Sequence, residues 1–280
     1  MIIIRFQGGL GNQLFQYALY ESLKQKGMEV KADISDYASG REKRDLELGK
    51  LGLEIEVASK TELHQYYADN TKILDRIVRY LWGKKKYIKE KNDQFKPEIF
   101  KLEEGYLSGY WQSAKYFIES KDIILGKITF SNIEVEEIKK IAEKMENENS
   151  VSIHIRLGDY LEENSIYGHI CTKEYYIKAI SYILENVENP VFYVFSDEPQ
   201  KAIQMLNLEK YYVVTENEGE NSYKDMYLMS ICKHNIIANS TFSWWGAWLG
   251  QAKGKIVITP SKWNQLCKAS EICVEGWITV

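Results

Sequence analysis

Several large protein classes leave no signature in this chain. No stretch of about 18 uncharged apolar residues occurs, which excludes a membrane-spanning helix. Ile2-Ile3-Ile4 runs straight into Arg5, unlike a secretory signal peptide, so the expected location is the cytoplasm. Cys171, Cys232, Cys267 and Cys273 form no C-x-x-C pair and have no histidine at zinc-finger spacing. They read as reduced packing residues rather than a metal site or a disulfide framework. A net charge of −4 lacks the basic excess of a general nucleic-acid binder. There is no G-x-x-x-x-G-K-[ST], so a P-loop phosphotransferase is excluded, and no G-x-S-x-G nucleophile elbow. D-x-D, the usual acidic pair holding a divalent metal on a nucleotide diphosphate, is also missing. A metal-free reaction is consistent with that absence.

What is present is globular: 280 residues, 45% hydrophobic and 27% charged, enough for two domains of ordinary size. The polar hinge Asn147-Glu148-Asn149-Ser150 follows an amphipathic helix over 133–145, and places a domain boundary there, giving domains 1–148 and 149–280. After it, strand-like runs at 151–156, 191–196, 211–214, 234–238 and 255–259 alternate with helical patterns at 173–186, 199–207, 222–232 and 242–251. That alternation is a doubly wound α/β domain with a mostly parallel sheet.

The first domain opens in a related way. Ile2 to Phe6 is a short strand, Gln7-Gly8-Gly9-Leu10-Gly11-Asn12-Gln13 a glycine turn, and Leu14, Phe15, Ala18, Leu19 and Leu23 recur at helical spacing before Gly27. Three readings compete. A dinucleotide fingerprint has Gly9, Gly11 and an acidic end to the next strand at Asp33, but Leu14 stands where its third glycine belongs. A polar or anionic ligand at the helix N-terminus is the second. A plain β–α turn capped by Asn12 is the third. If this unit begins a second α/β domain, the ligand belongs in the cleft between the two.

Residues 36–130 are less regular. Asp36 to Gly52 reads as charged loop with a short helix, and Thr61 to Tyr80 has mixed helical character. Trp82 to Lys89 interleaves lysines with aromatics, which suits a solvated loop or peripheral contact with an anionic membrane surface. Gly109-Tyr110-Trp111-Gln112-Ser113 suits a sugar face, and equally a core.

In an open parallel sheet, residues at the carboxyl ends of strands converge on one crevice. Three groups qualify. His154 and Arg156 end the first strand of the second domain. Ser196 and Asp197 end the next. Asn239, Ser240, Thr241 and Ser243 lead from a later strand into a helix. The Arg156 guanidinium is a fixed cation with a planar fork suited to phosphate, or else an ion-pair partner of Asp159 closing a turn. Ser240 and Thr241 with free N–H groups form an anion cradle, or else cap their helix. Asp197 can accept two N–H bonds from a guanine edge, or cap the helix that starts at Pro199. His154 is a ligand group or a satisfied core histidine. A diphosphate held by Arg156 and the helix N-terminus explains the most features at once.

Taken together, these blocks resemble the α-1,2-fucosyltransferase family, glycosyltransferase family 11. The similarity runs through Gly8 to Ala18, Gly109 to Ser113, His154 to Tyr160, Phe195 to Glu198, Asp225 to Ser230, and Ile237 to Leu249. It implies a GT-B architecture, two Rossmann-like domains, with GDP-fucose held mainly by the second. It implies inverting, metal-free transfer of L-fucose to a galactose 2-hydroxyl on an oligosaccharide or lipid-linked O-antigen unit. Carried over by motif, Arg156 contacts the β-phosphate, His154 the nucleoside side and Asp197 guanine. Ser196 and Asn239 join the donor site, while Ser240, Thr241 and Ser243 bind the pyrophosphate. Asn12 faces the reaction centre, and Asp159 is the first choice of general base, unless a phosphate oxygen takes that role. The family often has Arg-Arg in the central motif; here the second position is Leu157, leaving the phosphate work to Arg156. Two other classes compete: a nicotinamide oxidoreductase, which Leu14 opposes, and a non-catalytic sugar-binding protein, which has no need of Arg156 and the Ser240-Thr241 cradle.

Overall fold

The computed structural model describes residues 1–66, 73, 77, 87–91, 94–130, 133, 135–161, 166–206, 208–215, 217, 221–266 and 271–280, apart from the side chains of 159 and 161. The chain divides into two compact units, Met1–Thr129 and Phe130–Val280.

The first unit carries four parallel strands: β1 (Ile2–Arg5), β2 (Val30–Asp33), β3 (Tyr87–Lys89) and β4 (Gly105–Ser108), in the order β2-β1-β4-β3. Ile2, Ile3 and Ile4 are fully buried, as the uninterrupted apolar run predicts for a strand covered on both faces. The helix Leu10–Gln25 follows the glycine turn and buries Leu14, Phe15, Ala18, Leu19 and Leu23. Gly27, at φ 80°, sits just past its end. Ser35–Ala38 and Leu48–Leu51 are the short helical turns expected in the charged segment, and Lys60–Gln65 is helical behind a Ser59–Glu62 capping box. Most of the expected Thr61–Tyr80 helix, and Trp82 to Lys86 of the basic run, lie outside the described residues, as does Cys267.

The second unit is a six-stranded, all-parallel sheet: β5 (Asn149–Ile155), β6 (Pro190–Ser196), β7 (Tyr211–Val214), β8 (His234–Ile236), β9 (Val257–Thr259) and β10 (Ile278–Thr279). The order β7-β6-β5-β8-β9-β10 is that of the doubly wound dinucleotide fold, with its switch point between β5 and β8. Helices Lys173–Asn186, Pro199–Met205, Tyr223–Ile231 and Thr241–Leu249 link the strands where periodicity expects them. β10 is the addition, too short for alternation to reveal. Val151, Ile153 and Ile155 face one core with Phe192, Val194, Tyr176 and Ile183.

The boundary differs from that expected. The amphipathic helix Glu136–Asn147 was assigned to the first domain, but its apolar stripe (Ile138, Ala142, Met145) is buried with Tyr193, Phe195, Leu228 and Met229 of the second unit. Polarity at Asn147–Ser150 marks a helix-to-strand turn there. Cys171, Cys232 and Cys273 are free thiols, and Cys232 is fully buried. Among the described residues, no helix is long and apolar enough to cross a membrane.

Candidate active site

At the switch point of the second unit, β5 and β8 run side by side with Ile153 opposite Ile236. Their carboxyl ends therefore deliver Arg156 and the Asn239–Thr241 segment to the same edge of the sheet.

The helix Thr241–Leu249 starts at Ser240, which is extended (φ −125°, ψ 127°), and no side chain caps it. Its first helical hydrogen bond runs from the Trp244 N–H to the Ser240 carbonyl at 3.0 Å. The N–H groups of Thr241, Phe242 and Ser243 precede that ladder, and with the helix dipole they favour negative charge at this end. Capping by Ser240 or Thr241 is not what is seen. A tryptophan cluster braces the helix: Trp244 is fully buried, packs on Trp245, Trp248 and Trp277, and donates to the Ile272 carbonyl at 2.7 Å. Gly246 lets the neighbouring helix approach, since a Cβ there would lie 2.8 Å from Met229 Cβ.

Arg156 is ion-paired with Asp197 at 3.2 Å, each side chain about a quarter exposed (25% and 23%). The other Asp197 oxygen accepts from the Leu157 N–H at 2.9 Å. Gly158 is required beside them, because a Cβ would meet Asp197 Oδ2 at 2.5 Å. The Arg156 guanidinium also lies 6.0 Å from the Tyr160 ring centroid. Asp197 is not the helix cap, since the cap position is Glu198; its carboxylate pairs with Arg156 and takes the Leu157 N–H. Leu157 is 7% exposed and belongs to the core, which is why no second arginine stands there.

His154 is buried beside Phe242, ring centroids 6.0 Å apart. Burial, reinforced by the Arg156 charge, lowers its pKa to about 3, so the imidazole is neutral at physiological pH. Its Nδ1 is buried without a hydrogen-bond partner among the described residues.

Other expected donor contacts have internal work. Asn239, 2% exposed, donates to the Tyr167 and Trp263 carbonyls, both at 2.9 Å, and accepts from the Cys171 thiol at 3.4 Å. Its own carbonyl accepts from the Tyr160 hydroxyl at 3.0 Å. It fastens loops at the strand end, and both of its amide hydrogens are spent there. Ser243 is fully buried and donates to the Ser240 carbonyl at 3.3 Å. Ser196 accepts from the Glu198 N–H at 3.1 Å, closing the turn into the next helix. Asp159 lies in the 3₁₀ turn Gly158–Leu161, and its side chain lies outside the described residues.

In the first unit the switch point falls between β1 and β4. Asn12 sits in the first turn of its helix, whose cap position is Gly9, so Asn12 is no cap. Its Oδ1 accepts from Gln112 Nε2 at 2.8 Å. Asp33 is buried, taking the Tyr106 hydroxyl at 2.6 Å and the Ser35 N–H at 2.9 Å, which removes the acid that a dinucleotide fingerprint needs for ribose. Sequence patterns overlooked Phe242 and Gln112. Both lie inside quoted motifs, but only contacts distinguish them from neighbouring core residues.

The fold, two units each built on a parallel α/β sheet, is of the GT-B class. The solved structure of NodZ alpha-1,6-fucosyltransferase soaked with GDP-fucose shares the fold, with TM-score 0.51 at 14% identity, covering 89% of this chain and 92% of that one. The chain belongs to glycosyl transferase family 11, whose family model matches residues 58–280. An alpha-1,2-colitosyltransferase from Escherichia coli is 33% identical over 100% of this chain and 99% of its own length. The O-antigen biosynthesis glycosyltransferase WbnK, also from Escherichia coli, is 34% identical over 98% of each chain. Galactoside alpha-(1,2)-fucosyltransferase 1 from Ateles belzebuth is 27% identical over 51% of this chain and 42% of that protein.

Proposed function

We propose that this glycosyltransferase moves L-fucose from GDP-fucose to the 2-hydroxyl of a terminal galactose, with inversion and without a metal, in building a bacterial surface glycan such as O-antigen. The observation that carries the reading is that Arg156, held in an ion pair with Asp197, and the start of the uncapped helix Thr241–Leu249 follow strands that end at the same edge of the sheet. A departing nucleoside diphosphate gains negative charge in the transition state. A fixed guanidinium and free N–H groups lower the barrier where that charge develops. His154 is neutral and a poor base, so it serves as a hydrogen-bonding wall beside Phe242. Asp159, next to this motif, remains the proposed base for the acceptor hydroxyl.

A second reading changes only the sugar. The full-length likeness to the alpha-1,2-colitosyltransferase favours GDP-colitose, whose sugar is fucose without its 3-hydroxyl. Both readings are tested by GDP release on mixing the protein with lactose and either GDP-fucose or GDP-colitose, in EDTA, beside Arg156→Ala. Turnover that survives EDTA and collapses in the variant supports a metal-free reaction with Arg156 on the diphosphate. The faster donor names the sugar. Absence of GDP binding by calorimetry would sink both readings.

A further inference from the structure

We propose that Gln112 is a positioning residue that fixes the Asn12 amide as a hydrogen-bond donor to an oxygen of the bound sugar. A free asparagine amide presents an acceptor on one side and a donor on the other, and nothing intrinsic selects which faces a ligand. Here Gln112 Nε2 donates to Asn12 Oδ1 at 2.8 Å, which occupies the acceptor. Asn12 Nδ2 lies against Gly8, where a Cβ would come within 2.6 Å of it, and Gly8 itself is left-handed at φ 79°. No group among the described residues accepts from that Nδ2, and Asn12 and Gln112 are both only half-buried.

The segment that delivers Gln112 is built at some cost. Trp111 is fully buried yet left-handed, at φ 56°, a conformation that is strained for a bulky residue. The Glu90 carboxylate holds it by accepting the Tyr110 and Trp111 N–H groups at 2.7 and 3.1 Å. Gly109 is needed there because a Cβ would sit 2.5 Å from Glu90 Cβ. Gln16 ties the ends of β1 and β4 together, accepting from the Gln7 N–H at 3.0 Å and donating to the Gly109 carbonyl at 3.2 Å. Strain kept in place by this many bonds points to a geometry that matters at the end of the chain of contacts. That end is a neutral donor, which suits a sugar hydroxyl or ring oxygen better than a diphosphate.

This inference rests on the sugar-transfer reading. Its test is a double-mutant cycle in the full chain, with GDP-fucose or GDP-colitose (whichever the wild type turns over) and lactose. Gln112→Glu is isosteric but cannot donate to Asn12 Oδ1 when ionised. It is expected to lower kcat about tenfold while the melting temperature, the GDP Kd and the donor KM stay at wild-type values. In an Asn12→Ala background the same substitution should change kcat less than twofold, because its route of action is gone. Equal losses in both backgrounds, or none in either, overturn the inference while leaving the sugar-transfer reading intact. A wild type that turns over neither donor overturns that reading and this inference with it.

Discussion

β1 and β5 occupy the same place in their respective sheets. Each is a parallel strand beside a topological switch point, and each ends in a turn containing glycine. Their polar equipment differs. At the end of β1 the amides Asn12, Gln13, Gln16 and Gln112 bond chiefly to backbone and to one another, apart from Asn12 Nδ2. The charges beside them are engaged: Arg5 pairs with Asp36, and Glu42 accepts from the Gly8 N–H. At the end of β5 stand a guanidinium, a helix start that no side chain caps, and a neutral buried histidine without a partner on Nδ1. The same topology thus yields one edge whose charges are paired within the fold, leaving an amide donor, and one whose helix start stands uncapped. Side chains, not strand order, make the distinction.

The largest effect that would break this contrast is loss of the brace behind the uncapped helix. Trp244→Ala removes a fully buried ring and its hydrogen bond to Ile272. It should cost about 3–5 kcal/mol in urea unfolding. Arg156→Ala comes next, removing the cation, and should lower kcat by about 10²–10³-fold with an unchanged melting temperature. Thr241→Pro sharpens the comparison, because the first helical position tolerates proline and Ser240 is already extended as a pre-proline residue prefers. It deletes one N–H and should weaken GDP binding about tenfold by calorimetry, whereas Thr241→Ala should change it less than twofold.

A further effect lies in acid. Unfolded, His154 takes up a proton near 6.5; in its buried place, only at about 3. Between those values the unfolded chain binds the extra proton, so stability falls as pH drops from 6.5 toward 3. His154→Gln should flatten that part of the stability–pH curve, measured by thermal melts across the window.

Much of the second unit was legible because its strands and helices alternate at ordinary lengths with clear turn signals. β5 through β9 and the four helices between them fall within a few residues of their expected places. The GT-B class and the family were legible for another reason, the motif blocks carried intact from Gly8 to Leu249. What misled was polarity taken as exposure. Asn147–Ser150 looks like a linker but is a turn inside the second unit. Asn239 and Ser243 look like ligand groups, and in the fold their donor hydrogens go to carbonyls. Asp197 also pairs with Arg156 from a different strand, about forty residues away, where no local pattern could announce the pair.

The sequence by itself therefore determined the elements, their parallel pairing, the family and the placement of Arg156 and the Ser240–Thr241 helix start, since these follow from local periodicity and short motifs. Only the tertiary structure decided which polar groups remain available: Arg156 paired with Asp197, Asn12 turned by Gln112, and Asn239 tied among three loops. A hydrogen bond uses up a donor and an acceptor wherever the fold brings them together. Availability for a ligand is what remains once all such contacts, most of them between distant residues, have been made.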